Sequence, residues 1–428
     1  MSRANKQIGA KLILVILLGG LAANTPAHTA ATLPILQASA DVRVAPPPIP
    51  FPSWTEIART EASAEYEITF PSPIETSHPE NNVVPVRALL PIEASGPVPV
   101  VVLLHFWGAT DLSADLDLAD KLNRRGIGAV LVTLPYHMRR APKGTRSGEL
   151  AIQPDPVRMV ATMTQSVADI RRTIDWIQTR PEFRKDQIGI AGTSLGSIVA
   201  SLVFAVDSRL SSGAFMLGGV DLAHILWNSS RVVTQREDLR RRGYTEERMR
   251  DELKPIEPLE FLSSTERPTL VVGARHDTVI PPVDTGKLID VLGAPQTLWL
   301  ETGHYGGVFV QRRLLRTVST FFEATFAGKR YEAPTKFFAP TIRVGIGLNP
   351  ATGLQVAAGI DVWQLNAKAD GFASLMITPR GFQGYIGYRI NQGLSLGAVI
   401  LPKRATVGGL TAYPSLADLP DVPDATFI

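Results

Sequence analysis

Cysteine is absent from the 428 residues, which removes disulfides, thiolate metal sites and cysteine nucleophiles together. An excess of one charge is also missing: 43 Lys and Arg face 40 Asp and Glu, a formal net charge of +3. The signs are interspersed except in one Arg-rich stretch, so no basic stripe marks a nucleic-acid partner. There is no H-E-x-x-H or comparable ligand spacing, so no metal or other cofactor is expected. No apolar run reaches the ~20 residues a membrane-spanning helix needs. What is present is 45% hydrophobic residues in a chain long enough to bury one large core or two modest ones, for which a soluble globular enzyme is the default expectation.

At the N-terminus Arg3, Lys6 and Lys11 precede the apolar run Leu12 to Leu18, then Gly19 to Ala23 and small residues around Ala27 and Ala30. That order is the pattern of a secretory signal over residues 1–30, so the remainder is expected outside the cytoplasm, periplasmic or secreted, or tethered to the membrane if the signal is not cleaved. Residues 31–53 are rich in Ala and Pro; Ala45-Pro46-Pro47-Pro48-Ile49-Pro50 suits neither helix nor sheet and reads as an extended tether.

From Trp54 the chain alternates. Strand-like runs at Tyr66 to Phe70, Val83 to Leu90 and Val98 to Leu104 lead to a helix over Asp115 to Arg125 and a strand at Ala129 to Leu134. The run Val98 to Leu104 is apolar throughout, as a strand buried on both faces must be. Next comes a long helix over Pro156 to Thr179, with Val160, Met163, Val167, Ile170, Ile174 and Ile177 on one stripe. A strand at Gln187 to Ala191, a helix at Leu195 to Val206 and a strand at Gly213 to Leu217 continue the rhythm. The expected class is α/β, a doubly wound, mostly parallel sheet over residues 54–330.

Where the strand Gln187 to Ala191 meets its helix stands Gly192-Thr193-Ser194-Leu195-Gly196. This is G-x-S-x-G, whose glycines permit a sharp strand-to-helix turn with the serine exposed at the helix N-terminus. The loop Leu104-His105-Phe106-Trp107-Gly108 follows a buried strand and must turn tightly, so the amides of Trp107 and Leu195 are the candidate oxyanion donors; the alternative is that Trp107 is a core aromatic and His105 a structural histidine. The strand Thr269 to Val272 runs into Gly273-Ala274-Arg275-His276-Asp277, and Thr297 to Leu300 into Glu301-Thr302-Gly303-His304-Tyr305. Asp277 is therefore the candidate acid, with Asp221 as competitor, and His304 the candidate base.

Residues Tyr66 to about Gly328 resemble the α/β-hydrolase superfamily, in its secreted branch near dienelactone hydrolases and acetyl-xylan-type or prolyl-oligopeptidase-type esterases. The resemblance is carried by Leu104 to Gly108, Leu134-Pro135-Tyr136-His137, Asp169 to Trp176, Gly192 to Gly196, Gly273 to Asp277 and Gly303-His304. It implies a Ser194, Asp277, His304 triad in the chain order of that fold. Two departures stand out: Phe106 follows His105 where many relatives have glycine, and the cysteine nucleophile of dienelactone hydrolases proper is missing. An insertion at about 221–267 is placed where such folds carry a cap. Phe106, Trp227 and Tyr305 are the aromatic candidates for the substrate pocket, with Leu222 to Leu226 beside them. The cap's Arg236, Arg240, Arg241, Arg242, Arg248 and Arg250 read either as a lure for an acidic substrate or, preferably, as a solvated helix face of mixed charge.

Beyond residue 335 alternation at Ile342, Val344, Ile346 and Leu348, a turn at Asn349 to Gly353 and resumption at Leu354 mark a hairpin. About five strands are expected over 335–402, a small antiparallel module for accessory contacts, homo-oligomerisation or membrane-surface association, followed by an irregular tail at 403–428. The expected function is hydrolysis of a small-molecule or polymer-linked carboxylic ester through an acyl-enzyme. The alternatives are a peptidase or thioesterase of the same fold, or a binding protein that lost catalysis.

Overall fold

The computed structural model describes residues 41–334 and, within a C-terminal sheet, 342–349, 353–364, 371–379, 381–391, 394–401 and 404–406. The expected signal, residues 1–30, lies outside the described residues, as do 31–40, the turn residues 350–352 and most of the tail.

Strands β1 (Thr55–Arg59), β2 (Ser63–Pro71), β3 (Val83–Pro91), β4 (Val98–Leu104), β5 (Gly128–Val132), β6 (Phe183–Thr193), β7 (Leu210–Met216), β8 (Thr269–Ala274) and β9 (Gln296–Leu300) form one sheet in the order β1-β2-β3-β5-β4-β6-β7-β8-β9. The first three are antiparallel, and β5 onward along the sheet runs parallel. Helices α1 (Ser113–Asn123), α2 (Pro156–Thr179), α3 (Leu195–Val206), α4 (Leu222–Asn228), α5 (Val233–Arg241), α6 (Glu246–Leu253), α7 (Pro282–Leu292) and α8 (Gln311–Phe326) cover it. The apolar β4 shows why two layers are needed. Val100, Val102 and Leu104 join one core with α2 and α3, while Val101 and Leu103 join another with Leu118 and Leu122 of α1 and Phe321 of α8.

Helix α2 begins where its capping chemistry allows. Asp155 accepts from the amides of Val157 and Arg158, and Pro156 takes the first position. Its apolar stripe faces the core, with Val167, Ile170, Ile174 and Ile177 buried and Val160 and Met163 half-buried, but the opposite face is not free. Arg171 donates to the carbonyls of Val42 and Arg43, and Arg172 to that of Pro47. Residues 41–53, expected as a tether, are thus held against α2, and the Phe51 ring packs on Phe70. These carbonyls join no sheet ladder and are satisfied by arginine instead.

Between β7 and β8 lie α4, α5, α6 and two 3₁₀ turns at Lys254–Ile256 and Pro258–Glu260, the helical insertion foreseen at about 221–267. The C-terminal sheet is a six-stranded antiparallel meander: β10 (Ile342–Asn349), β11 (Gly353–Gln364), β12 (Gly371–Thr378), β13 (Gly381–Asn391), β14 (Leu394–Leu401) and β15 (Arg404–Thr406). The last strand falls in the stretch expected to be irregular. On β12 and β13 one face carries the buried Ser374, Met376, Gln383 and Tyr385, and the other the exposed Leu375, Ile377, Phe382, Ile386 and Tyr388.

Candidate active site

Ser194 follows β6 directly and precedes α3, with φ 54° and ψ −116°. An L-residue is uncommon there, and the two neighbouring glycines explain how the turn is kept. A Cβ on Gly192 would meet the Gly196 carbonyl oxygen at 2.1 Å, and one on Gly196 the Leu104 and His105 carbonyl oxygens at 2.2 and 2.6 Å. Backbone therefore packs on backbone, drawing the start of α3 onto the end of β4. The Ser194 amide donates to the Met216 carbonyl at 2.8 Å, which locks the turn to β7.

Three parallel strands bring the candidate triad together. Asp277 follows β8 and His304 follows β9. His304 Nε2 lies 2.9 Å from Ser194 Oγ, and His304 Nδ1 2.7 Å from Asp277 Oδ2. The other Asp277 oxygen accepts the amides of Val279 and Ile280, both at 2.8 Å, so the carboxylate is fixed in place. All three side chains are buried. This arrangement can take a proton from the hydroxyl, hold the resulting imidazolium against a carboxylate and return the proton later. The competitor Asp221 is engaged elsewhere: it caps α4 through the His224 amide and pairs with Lys287 at 2.6 Å and with Arg250.

The oxyanion candidates lie on both sides of the serine. Among the described residues neither the Leu195 amide nor the Trp107 amide donates to a protein acceptor, as donors kept for a substrate must not. The loop carrying Trp107 is braced by the segment after β5. Trp107 Nε1 donates to the Gly148 carbonyl at 2.7 Å, the Gly108 amide to His137 Nε2 at 3.0 Å, and the Leu134 amide to His105 Nε2 at 3.0 Å. Burial holds the His137 imidazole down at about 4 and that of His105 at about 3, so both stay neutral and keep the acceptor nitrogen these amides need. Reading His105 as structural and the Trp107 amide as a free donor are thus compatible. His137 stands in the Leu134 to His137 stretch that carries the resemblance, but nothing in the sequence gives it this bracing role.

Beside Ser194 opens a cavity of about 120 Å³, lined almost wholly by apolar side chains. Met159 and Met163 come from α2, Ile198 from α3, Leu222 and Leu226 from α4, and Ile280 from the loop after β8. Trp107 lines it as well, but the three aromatic pocket candidates do not. Phe106 points to solvent, Tyr305 is exposed with its ring edge-on to His304 at 5.3 Å, and the half-buried Trp227 lies under the Arg240 guanidinium. Aromatic type and sequence position alone suggest those three, whereas the cavity is made by aliphatic and thioether groups converging from separate helices. In the sequence Met163 shows only as part of the core stripe of α2.

Comparison with known proteins adds three findings. Residues 23–216 match the family described as alpha/beta hydrolase domain containing 18, a span that includes Ser194 and ends before Asp277 and His304. Uncharacterized proteins from two strains of Mycobacterium tuberculosis, CDC 1551 and H37Rv, are each 29% identical over 230 residues, 51% of this chain and 52% of theirs. The chain thus spans about half the length of the curated relatives it matches. Among solved structures, an acetyl xylan esterase from Paenibacillus sp. R4 superposes with a TM-score of 0.53 at 18% identity, covering 65% of this chain and 90% of that one.

Proposed function

We propose that this chain, whose fold is of the α/β-hydrolase type, is a serine hydrolase cleaving carboxylic esters. The observation that carries the reading is the unbroken relay from Ser194 Oγ through both nitrogens of His304 to Asp277, at 2.9 and 2.7 Å.

In this mechanism Ser194 Oγ attacks the acyl carbon as His304 Nε2 takes its proton, and Asp277 keeps Nδ1 protonated and directed. Negative charge that develops on the carbonyl oxygen meets the amides of Leu195 and Trp107, the first reinforced by the positive end of α3. The imidazolium then protonates the leaving alcohol, which departs and leaves the acyl group on Ser194. Water enters, gives its proton to His304, and the same steps in reverse free the acid. We further propose that this chemistry takes place outside the cytoplasm, a reading supported by the basic, apolar and small-residue order of residues 1–30.

A panel of p-nitrophenyl esters tests the activity. The protein is expected to hydrolyse at least one of them and Ser194→Ala none. Turnover retained in the alanine variant would refute the assignment, as would a folded parent protein inert to all of them.

A further inference from the structure

The arginine-rich cap is almost entirely neutralised by itself. Arg236 and Arg240 reach Glu237, Arg241 and Arg242 reach Asp238, Arg248 reaches Glu252, and Arg250 reaches Glu246 and Asp221. Most of these pairs follow the three- and four-residue spacing of α5 and α6, which is what mixed charge on a helix produces. Arg231 differs. It sits between α4 and α5, and among the described residues its guanidinium has no carboxylate within ion-pair distance.

Its position gives that free charge a use. Arg231 is the one charged residue among the described residues lining the cavity that contains Ser194. It is exposed, so it stands at the rim, and its guanidinium lies 5.2 Å from the centre of the Trp107 ring. That ring is itself held by the Gly148 carbonyl, so the cation is stationed over the loop that offers the Trp107 amide. An aromatic face retains an arginine head while leaving its donors directed outward.

We propose that the substrate is an ester joining an apolar acyl group to an alcohol that carries an anionic group. The acyl group fills the cavity beyond Ser194, and the anion pairs with Arg231 at its mouth. The proposal deepens the serine-hydrolase reading and rests on it for the ester. Apolar cavities of ~150 Å³ take up benzene, which sets the scale of the acyl group near six carbons. The lining is mostly apolar, with Met159, Met163, Ile198 and Leu226 among it and Thr162, Ser166 and Ser229 as its few hydroxyl residues, so an apolar acyl group is favoured over a sugar or a charged tail. At the rim, a guanidinium binds carboxylate or phosphate through paired, charge-assisted hydrogen bonds.

The test is equilibrium binding to the Ser194→Ala protein, which does not depend on turnover. The ligands are 4-(hexyloxy)benzoate and its neutral, equally shaped benzamide, titrated calorimetrically at low salt. The benzoate is expected to bind at least about tenfold more tightly. Arg231→Gln is expected to abolish that preference and Arg231→Lys to keep part of it. Equal binding of the two ligands, a preference that survives Arg231→Gln, or no binding of either would overturn the proposal. A Gln variant that loses both ligands equally would also overturn it, by showing that Arg231 merely closes the cavity over Trp107. If the preference is found but the parent protein fails to hydrolyse 4-(hexanoyloxy)benzoate, the hydrolase reading fails and the ligand class stands.

Discussion

At the scale of single residues, Ser194 is held in an unfavourable backbone conformation. A non-glycine residue at the φ of Ser194 costs on the order of 1–3 kcal/mol, sustained by the glycine contacts and the Met216 hydrogen bond around it. Removing the hydroxyl in Ser194→Ala should lower kcat by at least ~10³-fold with little change in melting temperature. Asp277→Asn should cost a comparable factor, because the imidazole is then free to take the wrong tautomer. Steady-state kinetics beside thermal unfolding checks both, and a large loss of stability in either variant would point to a structural role. The two braced histidines give a prediction in pH. Their folded values of about 4 and about 3 lie below the ordinary 6.5, so between those limits only the unfolded chain takes up the protons. Their contribution to stability is therefore complete above pH ~6.5 and declines as pH falls, by about 1.4 kcal/mol per unit and ring. His137→Asn, which can still accept from Gly108, should lose about 2 kcal/mol less than the parent between pH 6.5 and 4.5 in denaturant titrations. Parallel curves for the two proteins would refute this.

At the scale of elements the periodic signals were the readable ones. Helix α2 was legible to the residue because an Asp-Pro start, a three-and-four stripe and a non-periodic stretch after Thr179 agree. Strand β4 was legible because seven consecutive residues offered no polar face. Strand β1 was not, since Thr55 to Arg59 is exposed at the sheet edge and carries no buried alternation to betray it. The meeting of Ser194, His304 and Asp277 was legible because each follows its own apolar strand. The cavity was not, because its walls come from α2, α3 and α4, and no sequence period records which helices converge. The same holds for Arg231, whose freedom shows only once the other cap arginines are seen to be paired. Filling the cavity from α4 tests its role as the acyl site. Leu226→Trp should reduce kcat/KM for p-nitrophenyl hexanoate at least about tenfold while sparing the acetate ester, since only the longer acyl group needs that space. Equal losses on both esters would contradict it.

At the scale of the whole molecule the α/β body is joined by buried ionic contacts as well as by its two apolar layers. Arg140 and Asp169 are fully buried and 2.7 Å apart. Arg140 also donates to the carbonyls of Asn81 and Thr133, and Asp169 accepts from Ser72, so the pair links α2 to the segments around β2, β3 and β5. Removing one partner leaves the other charge stranded. Arg140→Leu should destabilise by about 3–5 kcal/mol in denaturant titration, and a change under 1 kcal/mol would show that solvent reaches the site.

The claim on which the account rests is that Ser194 is an activated nucleophile. A fluorophosphonate probe followed by peptide mass spectrometry measures this most directly. The account predicts a single adduct on Ser194 in the native protein, lost on denaturation and in the His304→Ala variant. A natively folded protein that takes up no probe at Ser194, or is labelled as readily without His304, would contradict it.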